Sequence, residues 1–309
     1  MAKSKYLISL ITKDNDYQRE QGDAAEAGAR TLGVEVEVIY ANSDAITQSQ
    51  QLLDVLLSER RAEFKGIVME PAGGTSMTQV ARAAVQAGVG WAILNREAEK
   101  IDELRKLGSA PVFSVSSDHE EVGRIQAKQF TALLKRGGTV LYLQGPATSA
   151  ATQSRTMGMQ AALPANIAVK LLRCGTWTED GGYKAMLAWL RLMVASKERI
   201  DIVAGQNDLL AMGARQALRE SVGAEAQESK WEKVRYTGID GLQKTGQAWV
   251  QGKILAATVV VPITALPALQ MLVEAEQKRI QPPASTKIAP YSFPEIDKLA
   301  SNEPQISSF

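Results

Sequence analysis

What most narrows the fold of this chain is an alternation that runs almost from end to end: a short apolar run, a polar tip, then apolar residues at helical spacing. Ile200 to Leu218 shows one such unit. Ile202-Val203-Ala204 suits a strand buried on both faces, and Gly205 turns the chain. Gln206, Asn207 and Asp208 follow, and Leu209, Leu210, Ala214, Ala217 and Leu218 then recur at the helical period. Strands are predicted the same way over 6–11, 34–40, 66–69, 90–94, 112–116, 139–144, 168–174, 234–239 and 255–261. Helices are predicted over 18–32, 45–60, 76–86, 120–134, 149–163, 180–193, 243–251 and 263–275, before a Pro-rich tail. Strands and helices in strict alternation with short connections build parallel sheets flanked by helices, so the fold class is α/β. At 309 residues the chain exceeds one ordinary domain, and the looser stretch 97–111 divides it into two similar halves of about five strands each.

In open parallel sheets, ligands bind beyond the carboxyl ends of the strands. Here those ends carry Lys13 to Gln18, Glu70-Pro71, Asn95-Arg96, Gln144-Gly145, Thr176-Trp177, Gln206-Asn207-Asp208 and Asp240-Gly241. Planar amides and carboxylates hydrogen-bond neighbouring hydroxyls in pairs, and aromatic rings cover apolar C–H faces, so the set suits a polyhydroxylated ligand in a cleft between the halves. Structural readings stand beside this one. Asp208 also suits a helix cap, Asp240-Gly241 a turn, and Arg96 a brace against Glu97 or Asp118. Tyr17 and Trp177 could belong to a core or a lobe surface. Arg155 is read as structural, and Trp189, Leu190 and Met193 as core.

Other functions find little support. Lys plus Arg number 35 against 34 for Asp plus Glu, an even and well-mixed balance that gives nucleic acid no basic patch. One Cys (Cys174) and one His (His119) exclude a disulfide framework and a Cys/His metal cluster within the chain. His119-Glu120-Glu121 lacks the remaining ligands of a metalloprotease helix and reads as a helix start. No phosphate loop, dinucleotide fingerprint, nucleophile elbow or CxxC occurs, and nothing marks Glu70 and Asp240 as a glycosidase pair. Tyr6 to Ile11 reads as a first strand, being too short for the apolar core of a signal peptide, and no segment approaches a membrane span. A soluble chain is expected, with any export signal absent from this sequence.

The segments ILNREAE, SSDHEEVG, QGPATSAATQSRTMGMQAAL, VAGQNDLLAMGARQAL and YTGIDGLQKTGQAWVQGKILAATVVVP resemble, in order and spacing, the type I periplasmic sugar-binding proteins of ABC transporters. The resemblance implies two Rossmann-like lobes with parallel central sheets, joined by crossings near Ser117, Val261-Pro262 and Ile288. The first lobe would be 1–116 plus 262–288, the second 117–261 plus 289–309. It also implies closure on a sugar, pentose, hexose or cyclitol, delivery to a membrane permease, a monomer outside the cytoplasm, no catalysis and no cofactor. A ligand-sensing domain of a regulator, a chemoreceptor or a histidine-kinase system is the alternative.

Residue by residue, the family's binding positions meet Asn15, Tyr17 and Gln18, then Asn95 and Arg96, then Trp177, Asn207 and Asp240. A sugar-contacting Arg of the family meets Gln153, an Asn meets Glu70, and the hinge Gln meets Val261. Fewer cationic donors and an extra acid point to a neutral or partly cationic polyol in preference to an acidic sugar.

Overall fold

The structure, a computed structural model, describes residues 3–73, 77–96, 100–193, 199–222 and 233–301. In chain order the elements begin β1 (Lys5–Leu10), α1 (Asp16–Leu32), β2 (Glu35–Tyr40), α2 (Ala45–Leu56), β3 (Phe64–Met69), α3 (Thr78–Gln86), β4 (Gly90–Leu94), α4 (Ile101–Arg105) and β5 (Val112–Ser117). They continue with α5 (His119–Leu133), β6 (Gly138–Gln144), α6 (Ala150–Ala162), β7 (Ile167–Arg173), α7 (Glu179–Met193), β8 (Ile202–Gly205), α8 (Asp208–Val222) and β9 (Arg235–Asp240). Last come α9 (Ala248–Gln251), β10 (Ala257–Val260), α10 (Ala265–Lys278), β11 (Ser285–Ile288), β12 (Tyr291–Phe293) and α11 (Ile296–Ser301). Among the described residues no helix is long and apolar enough to cross a membrane.

The chain divides into two compact units, Met1–Ser117 with Ile263–Ile288, and Asp118–Pro262 with Ala289–Phe309. The first holds a six-stranded sheet in the order β2-β1-β3-β4-β5-β11, parallel throughout. The second holds β7-β6-β8-β9-β10-β12, parallel except for β12, which runs against β10. Both orders place two early strands next to each other at mid-sheet, β1 with β3 and β6 with β8, with crossovers leaving in opposite directions. Such a reversal opens a crevice at the strand carboxyl ends.

Each sheet is buried on both faces, which is why its strands read as continuous apolar runs. Leu7, Ile67 and Met69 pack on the α2/α3 side of the first sheet, while Tyr6, Ile8, Leu10 and Val68 pack against α1 and α10. In the second, Leu141, Leu143 and Val203 face α7 and α8, and Val140, Tyr142, Ile202 and Ala204 face α5 and α6. Gly33 closes α1 in the left-handed conformation, φ 69°, as its position after an apolar helix predicts. Trp189 and Leu190 pack against the α7/α8 core, and Trp91 is fully buried. The structure makes His119 the first residue of α5, capped by the Asp118 carboxylate, which accepts from the Glu121 N–H at 3.0 Å.

Several predicted elements change. The helix expected over 45–60 stops at Leu56 and gives way to a 3-10 turn over Glu59–Glu63, where Arg60 reaches back to Glu37 on β2 at 2.9 Å. The helix expected over 243–251 opens with a π-type turn, Gln243–Gln247. The tail is not featureless: β11 and β12 are edge strands of four and three residues, and α11 packs on α5. Strands so short are held by ladder bonds to a neighbour, and the chain gives little side-chain signal for them.

Paired helices approach closely through glycine. A Cβ at Gly123 or Gly158 would overlap backbone across the α5/α6 contact, and one at Gly182 or Gly213 would do so across α7/α8. Ala for Gly mid-helix ordinarily gains about 1 kcal/mol, whereas overpacking costs about 1–3. Because the obstacle at Gly158 is the Glu120 carbonyl and not a flexible tip, Gly158→Ala is expected to destabilise by about 1–2 kcal/mol net in urea unfolding. A variant as stable as the parent would show that α5 shifts freely.

Candidate functional site

Each unit gathers a polar cluster at the carboxyl end of its sheet. In the first unit it begins after β1. Asn15 caps α1, its Oδ1 accepting from the Gln18 N–H at 3.2 Å. This sets Gln18 in the first turn of the helix, beside the reversal point. The Gln18 side chain accepts from the Ile11 N–H at 2.9 Å and donates to Glu70 Oε2, just after β3, at 2.9 Å. One buried amide thus ties the ends of the two central strands.

Asn95 follows β4 with φ 54°. Its Nδ2 donates to the Tyr17 hydroxyl and its Oδ1 accepts from Thr264, both at 3.4 Å. Thr264 is itself fixed by Gln21, which donates to its hydroxyl at 3.0 Å and accepts from its N–H at 3.0 Å. Arg96 donates to the Pro71 carbonyl at 3.4 Å. Burial lowers its guanidinium pKa, and the nearby Glu70 charge pulls it back up. Asn15, Tyr17, Gln18, Glu70, Asn95 and Arg96 therefore come together, all but Arg96 less than a tenth exposed. The bracing partner of Arg96 in this unit is Pro71. Glu97 lies outside the described residues.

The second unit repeats the device. Gln206, fully buried after β8, accepts from the Gly145 N–H at 2.9 Å and donates to the Thr152 carbonyl, the Thr156 hydroxyl and the Tyr142 hydroxyl at 3.0, 2.9 and 3.3 Å. Asn207 caps α8, its Oδ1 accepting from the Leu210 N–H at 2.8 Å. Its Nδ2 donates to the Trp177 carbonyl, also at 2.8 Å. The cap is thus Asn207 and not Asp208. Asp208 turns inward, 3 % exposed, and its two oxygens accept from the Thr258 hydroxyl at 2.7 Å and the Gly241 N–H at 2.8 Å.

Arg155 and Gln153 lie on different faces of α6. Gln153 is exposed, donates to the Ala147 carbonyl at 3.1 Å and lines a surface cavity with Gly145, Thr152 and Thr156. Arg155, read from sequence as structural, is buried at the centre. It donates to the Gln206 carbonyl, lies 3.8 Å from Asp240 Oδ1 and sits 5.6 Å over the half-buried Trp177 ring. The helical period could have shown this. Arg155 lies three residues from Thr152 and from Gly158, both on the buried face of α6, whereas Gln153 falls off that stripe.

Sequence comparison places the periplasmic binding protein domain over residues 6–274. The chain belongs to the periplasmic binding protein family. Members of this family bind and carry solutes and are not enzymes. The D-allose-binding periplasmic protein of Escherichia coli strain K12 is 26 % identical over 278 residues, 89 % of this chain and 86 % of that one. The D-apiose import binding protein of Paraburkholderia graminis is 25 % identical over 280 residues, 89 % and 82 % of the two chains. Among solved structures, the fold matches a solute-binding protein of Actinobacillus succinogenes 130z with bound D-allose, with a TM-score of 0.80 at 18 % identity over 97 % of this chain and 100 % of the other. It also matches the Caulobacter myo-inositol binding protein, with a TM-score of 0.78 at 19 % identity over 96 % and 95 %. Two α/β units with mostly parallel sheets are the type I form of this family. Membership implies a place outside the cytoplasm.

Burial, with the Asp240 charge alongside, pushes the Asp208 carboxyl well above its ordinary 3.8. The Thr258 and Gly241 bonds and Arg155 act in the opposite sense. A carboxyl whose pKa is raised by folding stabilises most below pH 3.8, and that contribution is lost as pH rises through the folded value. Asp208→Asn keeps an acceptor for Gly241 and cannot ionise. The stability of the wild type relative to this variant should therefore fall as pH rises above the ordinary carboxyl value, by up to about 1.4 kcal/mol per unit of pH until the folded value is reached. Thermal melts of both proteins across that range measure it, and a constant difference would show that Asp208 does not hold its proton.

Proposed function

We propose that this chain is an extracytoplasmic solute-binding protein. It captures a neutral monosaccharide or cyclic polyol, works as a monomer and hands its ligand to the permease of an ABC transporter. The observation that carries the reading is the matching of guanidinium and carboxylate in each unit, Arg96 near Glu70 and Arg155 near Asp240, within buried clusters of amides and an aromatic ring. A carboxylate near each cation offsets the positive charge that an acidic ligand would seek, and carboxylates accept hydrogen bonds from hydroxyl donors. Relatives whose names specify D-allose, D-apiose and ribose support a sugar, and the import named for two of them supports transport over gene regulation.

The amides contribute orientation. Each neutral hydrogen bond adds about 0.5–1.5 kcal/mol and each bond to a charged group about 1.5–3, so a few suffice for micromolar binding. A thermal-shift panel of D-allose, D-ribose, D-apiose, myo-inositol, glucosamine and glucuronate tests the reading. A ligand at a hundred times its Kd stabilises by about 2.7 kcal/mol, a shift of several degrees. At least one neutral sugar or polyol should raise the melting point, and glucuronate should not. Preference for glucuronate, or silence across all neutral compounds, would overturn the proposal.

A further inference from the structure

We propose that Asp208 is a positioning residue for ligand capture, fixing the backbone that sets Asp240 against Arg155. The inference rests on the binding function proposed above. Asp240 has φ 101° and Gly241 φ 58°, two successive residues in the left-handed half of backbone space. For a residue with a Cβ such a conformation costs about 1–3 kcal/mol and persists only where its surroundings enforce it. Asp208 Oδ2 grips the N–H of Gly241, the residue directly after Asp240, while Oδ1 is anchored to Thr258 on the adjacent strand β10. The Val261 N–H donating to the Asp240 carbonyl at 3.0 Å holds the other side of the same peptide.

The Asp208 carboxyl group is confined. A Cβ at Gly238 or Gly246 would press on it, so both neighbours are residues without side chains. The charged groups facing it are Asp240 at the end of β9 and Arg155 from α6. From the other elements packed against it, β10 offers the neutral Thr258, and the π-type turn offers Gly246. Helix capping does not account for an acid here, because Asn207 performs it. The burial of Asp208 serves a hydrogen-bonding task at Gly241, and through Gly241 it aims the Asp240 carboxylate. This also gives the π-type turn a purpose: Gly246 must pass close to Oδ2.

A mutant cycle read by calorimetry with D-allose and myo-inositol as probes tests the role. Asp208→Ala should weaken binding about tenfold or more, and Asp208→Asn should stay within about twofold, because its amide offers Gly241 the same acceptor. The double variant Asp208→Ala/Asp240→Ala should bind no more weakly than Asp240→Ala alone, since Asp208 acts through Asp240. Gly246→Ala, which displaces the carboxylate without deleting it, should also weaken binding about tenfold, and it replaces Asp208→Ala in the comparison if that variant does not fold. Near-parental affinity of Asp208→Ala, or losses that simply add in the double variant, would overturn the role while leaving the binding function standing. If the parent binds neither probe nor any other neutral compound, the function fails. Hydrogen exchange at the Gly241 amide then decides the positioning role alone: it should be faster in Asp208→Ala and Gly246→Ala than in the parent and Asp208→Asn, and unchanged exchange would refute it.

Discussion

A parallel sheet whose crossovers depart in opposite directions at its middle leaves the last peptide groups of two neighbouring strands without ladder partners. Buried donors and acceptors cannot stay unpaired, at about 1–3 kcal/mol each. In this protein one glutamine meets that demand in each unit. Gln18 accepts from Ile11 and reaches Glu70, and Gln206 accepts from Gly145 and reaches back under α6. A side-chain amide can do this because it is donor and acceptor at once, and an acid or an alkyl chain of the same size could satisfy only half of the task or none. Once the amides are in place, the other polar residues at the strand ends have fixed positions from which to act.

What is built on these two supports differs in character. The first unit presents a chain of weaker contacts, Tyr17 to Asn95 to Thr264, with Arg96 and Glu70 beside it. The second is concentrated around charge, with Arg155 between a carboxylate and an indole ring, and a further carboxyl buried behind them. Removing one member of such a group leaves the other uncompensated in a dry setting, which costs more than the pair itself contributes. The proposed affinity for a neutral polyol follows from that balance, because a ligand bringing its own negative charge would meet Glu70 near Arg96 and Asp240 near Arg155.

Much of this could be read from the chain before any coordinates. Continuous apolar runs and period-3.6 patterns located strands and helices such as β4 and α1 almost to the residue, because both faces of each sheet are buried. Strand-end positions likewise pointed to Asn15, Gln18, Glu70, Asn95 and Asn207, since polar residues after apolar strands have few other reasons to be there. The burial of Arg155 beside Asp240 was harder to read, because on α6 only the buried stripe separates it from Gln153 two residues earlier. Asp208 and Asn207 were confused because both are good caps, and the deciding contacts, Gly241 and Thr258, lie 33 and 50 positions away. The edge strands β11 and β12 carry almost no hydrophobic signature, since long-range backbone pairing defines them.

The account stands or falls on whether Arg96 and Asp240 take part in holding the ligand. Titration calorimetry of the parent, Arg96→Ala, Asp240→Ala and the double variant with the tightest neutral binder is the most direct measurement. The account predicts a single isotherm with one ligand per chain in the parent, weakened by either substitution by about tenfold to a hundredfold, as expected for loss of a charged hydrogen bond. Two separable binding events, or an affinity that one of the two substitutions leaves untouched, would contradict it.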